Sequence, residues 1–455
     1  MREKKEAMSL MKSAFGFRLT PAKTVLLGFL GLILVGTCLL MMPAASVQAG
    51  GVDFLTAFFT ATSATCVTGL VVMDTVTSWT LFGQVVILAL IQIGGMGVVT
   101  VAVSLTQIAG RRIGLASRFF LQESMGAPQL GGIIRLLRFI LRATLIVEGA
   151  GACLFAIRFI PRYGPLRGIW YSVFHSISAF CNAGFDLMGR SAPFSSLTGY
   201  VSDPLVNFTA MALIIVGGIG FFVWEDLVRN KYHFRSYTLQ TKVVLITTAL
   251  LIALPTLWFF FCEFDSWDMP LGQRLLASLF QAVTPRTAGF NTVDLSALNG
   301  GSKLLTICLM LVGGSPSSTA GGLKTTTLAV LLLSVRAGFK GNNEVHCYGR
   351  RIPQQVVVRA LMVAVLYGTL FLAAGLCMSQ LEPILLSEAI FECASAIGTV
   401  GLTLGVTTQL CTASKVILIL LMYFGRVGGL TLVYAVSGGT RRPRHSYPEE
   451  SIGIG

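Results

Sequence analysis

Apolar positions in this 455-residue chain come in long, nearly unbroken runs. Runs near residues 22–43, 133–160, 240–262 and 354–379 are long enough to cross a hydrocarbon layer, for which about 20 residues suffice. A second set lies near 79–109, 204–229, 302–337 and 412–437. Between the two members of each pair falls a shorter stretch, such as 53–64 or 387–397. Roughly a dozen residues cannot span a bilayer, but they suit a half-helix that enters and returns on one side. The pattern predicts an all-α integral membrane fold with eight transmembrane spans and four re-entrant loops.

The short stretches resemble one another. Each has a leading Phe (Phe59, Phe174, Phe280, Phe391), a run of small polar residues, and a glycine followed by Leu or Phe. The key glycines are Gly69, Gly184, Gly289 and Gly401, spaced 115, 105 and 112 residues apart. Internal recurrence at this spacing marks a repeat architecture. It divides the chain into a leading segment (1–21), four span–pore-helix–loop–span repeats (22–109, 110–229 with a leading basic loop, 230–338 and 339–438) and a tail (439–455). Irregular backbone at membrane depth survives only when buried in protein or lining a watery cavity. Four such loops are buried together if the repeats pack in a pseudo-fourfold arrangement around one central pore.

The loops themselves read Cys66-Val67-Thr68-Gly69, Cys181-Asn182-Ala183-Gly184, Arg286-Thr287-Ala288-Gly289 and Gly398-Thr399-Val400-Gly401. Glycine reaches backbone angles closed to other residues, so successive carbonyls can point the same way. Converging on an axis, they would offer rings of carbonyl oxygens in place of a cation's water shell. Divalent ions recruit carboxylates, and none lies in these loops. The chemistry fits a monovalent cation. One glycine loop alone would serve equally well for close helix packing; four in register favour a filter. Arg286 is an odd neighbour for cations, and it is expected to brace its loop from behind through an acid or backbone carbonyls, because intramembrane charges pair.

Composition and charge narrow the picture further. Only 12% of residues are charged, half the share of a soluble domain. The net charge of +14 comes from basic clusters at 2–23, 111–142, 229–242, 336–359 and 441–444. They recur after pairs of apolar runs, so they mark cytoplasmic loops and put both termini in the cytoplasm. Lipid contact is compatible with these clusters, and a nucleic-acid partner is not favoured. The ten cysteines are scattered without a C-x-x-C pair and read as small apolar fillers. The run from Thr24 is read as a retained first span, not a signal peptide.

The run through residues 304–336 exceeds one straight span. Its centre, Gly313, Gly314, Ser315, Pro316, Ser317, Ser318, Thr319, Ala320, Gly321 and Gly322, is rich in glycine and hydroxyls. Glycine and proline disfavour helix interiors by about 1 and 3 kcal/mol, so the helix is expected to break there into a polar loop. Lys324 follows, and Arg426 lies inside the last span. A charge at a helix centre costs about 2.5–3.5 kcal/mol on insertion scales, which argues for a protein-facing position. The loop, Lys324 and Arg426 together are read as a gate, with pairing of Arg426 to an acid or a helix end as the alternative. The runs Gly94-Gly-Met-Gly97 and Gly217-Gly-Ile-Gly220 are hinges or close-packing sites.

The four glycine loops and the run Gly313–Thr327 resemble the Trk/Ktr/HKT superfamily of potassium and sodium transporters, over residues 20–440. With no two additional leading spans, the chain looks most like the Ktr-type membrane subunit. The resemblance implies potassium translocation, often sodium-stimulated, by a homodimer with one pore per subunit. It also implies a cytosolic nucleotide-binding gating ring as partner, so that nucleotide enters only through that subunit. In this family a serine at the first filter glycine marks several sodium-selective members, so the presence of Gly69 favours potassium. It also places the residue matching Arg426 at the inner cavity. A sodium-selective or non-selective monovalent cation transporter of the same fold is the rival reading. By resemblance, the tail helps dimerisation, while the basic loop 336–359 is the better candidate for meeting the ring.

An enzyme is excluded on the residues present. Four histidines (His175, His233, His346, His445) form no metal or nucleophile motif. His175, in the second pore helix, is assigned to packing or hydrogen bonding. A carrier built from inverted repeats would need halves of opposite topology, whereas these four repeats run the same way.

Overall fold

A computed structural model describes residues 21–108, 121–122, 132–190, 192–342 and 344–428. The leading segment, most of the 109–131 basic loop, the end of the last span and the tail lie outside the described residues. Fifteen α-helices of ten or more residues organise the described residues. In chain order they are α1 (Pro21–Leu40), α2 (Phe54–Thr65), α3 (Leu81–Met96), α4 (Val98–Ile108), α5 (Ile133–Tyr163), α6 (Pro165–Phe180), α7 (Pro204–Gly218) and α8 (Phe221–Asn230). Then follow α9 (Leu239–Trp258), α10 (Leu271–Val283), α11 (Gly300–Leu311), α12 (Thr325–Phe339), α13 (Gln354–Leu381), α14 (Leu386–Gly398) and α15 (Thr412–Val427).

Local chemistry starts several of these helices. Asp53 accepts from the Thr56 N–H at 3.1 Å to cap α2, Asp203 caps α7 from the Leu205 N–H at 3.0 Å, and Asn299 caps α11 from the Ser302 N–H at 2.8 Å. Each side-chain oxygen satisfies a donor that the first helical turn leaves unpaired.

Four helices, α1, α5, α9 and α13, are long and apolar enough to cross a membrane. Their outward faces carry exposed Leu145, Ile146, Leu254 and Leu361, which suits lipid rather than water. The short helices α2, α6, α10 and α14 are instead buried along most of their length. Each packs beside the long helix that precedes it, and their neighbours close a circle: α3 rests on α6, α7 on α10, α11 on α14, and α15 returns to α2.

The second set of apolar runs departs from straight spans. α3 and α4 meet at 97° and α7 and α8 at 96°. Gly97 and Gly220, with φ of 87° and 96°, occupy the corners, a conformation that a β-carbon disfavours. The third run breaks over residues 312–324, between α11 and α12. The basic stretch after α12 also contains a departure from an all-helical chain, a hairpin of β1 (Val345–Cys347) and β2 (Arg350–Ile352). Tyr348 and Gly349 turn it with φ of 50° and 71°, both positive as a tight two-residue hairpin demands.

Candidate functional site: a glycine ring and the loop beneath it

Just beyond each short helix the chain takes the same path. Val67, Asn182, Thr287 and Thr399 all have positive φ, between 52° and 66°. Two residues later come Gly69, Gly184, Gly289 and Gly401, at φ of 91°, 68°, 79° and 92°. The four glycines touch in a closed order. A β-carbon built on Gly69 would lie 2.4 Å from the Ala183 carbonyl oxygen, on Gly184 2.9 Å from that of Ala288, on Gly289 2.3 Å from that of Val400, and on Gly401 2.2 Å from that of Thr68. Each repeat therefore sets a carbonyl against the glycine of the repeat before it, and the fourth hands on to the first. Real β-carbons do not approach within 3.0 Å, so only glycine permits this ring.

The side chains that hold the ring lie behind it. Ser63 and Ser395 accept from the Gly69 and Gly401 N–H groups at 3.1 and 3.0 Å, and Ser178 donates to the Phe185 carbonyl at 2.7 Å. Thr284 donates to the Phe290 carbonyl. Thr284 stands four residues after its leading Phe, where the others carry serine, and the third loop is one residue shorter between that position and its glycine. Further out, His175 Nε2 accepts from the Leu187 N–H at 3.3 Å, while its Nδ1 meets the Tyr171 carbonyl at 2.7 Å. Glu392 accepts from the Leu404 N–H at 3.2 Å and from the hydroxyls of Thr403 and Thr407. Both residues directly follow the leading Phe and grip the backbone twelve positions on. That shared position is a signal the sequence carries; the reading of His175 as packing or hydrogen bonding did not use it, and Glu392 had no assignment.

Glu392→Ala should lower the thermal midpoint in detergent, because three donors lose a buried acceptor. A loss of about 2–3 kcal/mol is expected. An unchanged midpoint would show that the post-glycine segment holds itself.

Residues 313–322 lie against the C-terminal ends of α7 and of the short helix α6. The Ser315 and Thr319 N–H groups donate to the Gly218 and Gly217 carbonyls at 2.9 and 3.2 Å, and Thr319 Oγ1 donates to the Phe180 carbonyl at 3.0 Å. Lys324 curls back, its Nζ 2.8 Å from the Ala320 carbonyl oxygen. Arg426 reaches across from α15, donating to the carbonyls of Thr319, Gly94 and Gly95. It thus ties the loop of the third repeat to the C-terminal end of α3, where helix carbonyls carry partial negative charge.

A family model described as a cation transport protein, TrkH, matches residues 29–438. The chain is 40% identical over 444 residues to the Ktr system potassium uptake protein B of Bacillus subtilis, covering 96% of this chain and 97% of that one. It is 39% identical to the potassium/sodium uptake protein NtpJ of Enterococcus hirae, covering 98% and 100%. The chain belongs to the TrkH family of cation transport proteins. It is a multi-pass membrane transporter of the Ktr type and not an enzyme. The crystal structure of the potassium transporter TrkH from Vibrio parahaemolyticus has the same fold, with a TM-score of 0.69 at 20% identity over 89% of this chain and 84% of that one.

Within this TrkH-family site Arg286 has a different partner from the one expected. Arg286 is buried, and its guanidinium meets the Thr248 hydroxyl on α9 at 3.3 Å, not an acid or a carbonyl. It lies behind its loop as anticipated, but a neutral oxygen receives it. Asn182 links its own helix to the third loop. With its amide nitrogen donating to the Ile214 and Ala179 carbonyls, at 3.2 and 3.0 Å, its oxygen faces the Thr287 hydroxyl.

The two glycine runs prove to be hinge and packing site together. Gly94 and Gly217 sit where a β-carbon would fall 2.0 Å from the carbonyl oxygens of Thr65 and Phe180, while Gly97 and Gly220 turn the corners. Gly425 and Gly428 repeat the arrangement against Ile397. Arg426 therefore occupies the place that Gly95 and Gly218 hold in the first two repeats.

Proposed function

We propose that this protein takes potassium into the cell through the glycine ring, with Cys66–Gly69, Cys181–Gly184, Arg286–Gly289 and Gly398–Gly401 forming a filter of backbone carbonyls. The observation that carries the reading is the closed succession of carbonyl against glycine around four repeats. Carbonyl dipoles held at fixed spacing substitute for the hydration shell of a cation that dehydrates at modest cost. Eight spans, three of them bent or broken among the described residues, and four re-entrant helices in pseudo-fourfold order are the architecture this reading needs. Membrane voltage supplies the drive, about 2.3 kcal/mol per charge for each 100 mV.

The loop 313–322, Lys324 and Arg426 form the gate beneath the filter. In keeping with the resemblance of its loops to the Ktr type, the protein works as a homodimer with a cytosolic nucleotide-binding ring, met by the basic stretch 336–359, with both termini on the cytoplasmic side of a bacterial inner or plasma membrane. The name of the NtpJ relative, potassium/sodium uptake, supports a second reading in which sodium is carried or stimulates transport.

Rubidium uptake into proteoliposomes, competed by potassium or sodium, tests the proposal. Competition by potassium at concentrations where sodium has no effect is the expected result. Equal competition by both ions, or uptake of sodium alone, would replace it with the second reading.

A further inference from the structure

A cavity of about 610 Å³ opens between α9, α12 and the β1–β2 hairpin, away from the glycine ring. Ile246 and Leu250 of α9 and Leu332 and Leu333 of α12 make one side of it. Leu250 and Leu332 are more than half exposed, so this apolar wall continues onto the outer faces of the two helices. Arg336 and Lys340, in and just past the last turn of α12, also line it, with residues of the hairpin. The nearby carboxylate is already engaged: Glu344 lies 2.8 Å from Arg351 and 3.3 Å from His346. Lys242 is turned to the Arg235 carbonyl and stacks over Phe234 and Tyr348. Among the described residues neither Arg336 nor Lys340 has an acidic partner.

We propose that this cavity binds an anionic phospholipid of the cytoplasmic leaflet, with its phosphate between Arg336 and Lys340 and an acyl chain along the groove between α9 and α12. The match is one of charge and polarity together. A soluble anion would use the two cations but leave the apolar wall without an occupant. A zwitterionic lipid would cover the wall but present a quaternary amine beside the same cations. Basic pockets between membrane helices on the cytoplasmic side recognise acidic headgroups on these grounds. The inference rests on the proposed topology, with the stretch after α12 on the cytoplasmic side, but does not depend on which ion the protein carries.

The test is lipid binding by purified protein in detergent, read by native mass spectrometry during titration with phosphatidylglycerol or phosphatidylcholine. Phosphatidylglycerol is expected to bind at one site roughly tenfold more tightly, and the R336Q/K340Q double variant to lose that preference while binding phosphatidylcholine as before. Both side chains are exposed, so the variant should keep the wild-type thermal midpoint. Leu332→Trp, which fills the groove and leaves the cations, should weaken both lipids. Undiminished preference in the double variant would overturn the proposal. So would displacement of the lipid by inorganic phosphate at equal strength, which would make this a soluble-anion site. A shift from dimer to monomer with lipid binding unchanged would also overturn it, by making the cavity a contact between copies.

Discussion

Alanine at Gly69 or Gly401 is expected to cut selective cation uptake sharply while leaving the protein folded. The added methyl would lie 2.4 Å from the Ala183 carbonyl oxygen in the first case and 2.2 Å from that of Thr68 in the second. The obstacle is backbone, so no side chain can swing aside. Both positions also have φ near 90°, where a non-glycine residue is strained by about 1–3 kcal/mol. The relief available is displacement of the neighbouring carbonyl, the group assigned to replace the ion's water. With each 1.4 kcal/mol worth tenfold, uptake should fall by at least about tenfold, with potassium losing more than sodium.

Two other glycines serve as controls. Gly368→Ala, in the middle of α13, meets nothing within 4 Å and should leave uptake intact. Gly94→Ala collides with the Thr65 carbonyl at 2.0 Å, at a helix contact outside the ring, and should reduce the yield of folded protein. Uptake and selectivity of wild-type character in Gly69→Ala and Gly401→Ala would remove the ring from the permeation path.

The membrane class and the family were legible because hydropathy and recurrent glycine loops are properties of the chain itself. The break over 312–324 falls on the glycine-, proline- and hydroxyl-rich run, where the local cost of helix is visible residue by residue. The right-angle bends at Gly97 and Gly220 were legible only as hinges or packing sites, with neither the choice nor the angle given. Apolar residues continue on both sides of each corner, and hydropathy records what a residue is buried in, not the direction in which the chain runs. The hairpin at 345–352 is similarly quiet, being two short strands in a basic stretch otherwise read by its charge. The partner of Arg286 could not be inferred either. The expectation of an acid follows the general pairing of intramembrane charge, whereas Thr248 is one of several threonines on α9 and only the packing of that helix selects it. Charge-based topology rests largely on segments outside the described residues, and reporter fusions at the two ends of the chain would test it directly.

Replacing Arg426 by alanine is expected to raise cation flux in the absence of any regulatory subunit by roughly tenfold or more. Two effects act in the same direction. The guanidinium places a positive charge beside the loop assigned as the constriction, and at an effective dielectric of about 20 a like charge a few ångströms away feels about 3–4 kcal/mol of repulsion. Water in an open pathway screens part of it. Arg426 is also the tie between the Thr319 carbonyl and those of Gly94 and Gly95; without it the loop keeps its bonds to α7 but loses its anchor to the first repeat.

Arg426→Lys separates the two contributions. Lysine retains the charge on a single ammonium, which cannot reproduce the forked donor geometry that serves three carbonyls at once. Flux near wild type in the lysine variant with high flux in the alanine variant would assign the barrier to charge. High flux in both would assign it to the tether. Unchanged flux in a folded alanine variant, with size-exclusion behaviour and thermal midpoint preserved, would exclude Arg426 from the gate. Its substitution for the glycine found at the equivalent place in the first two repeats would then be a matter of assembly: a cation satisfying carbonyl ends that converge at the same depth of the membrane.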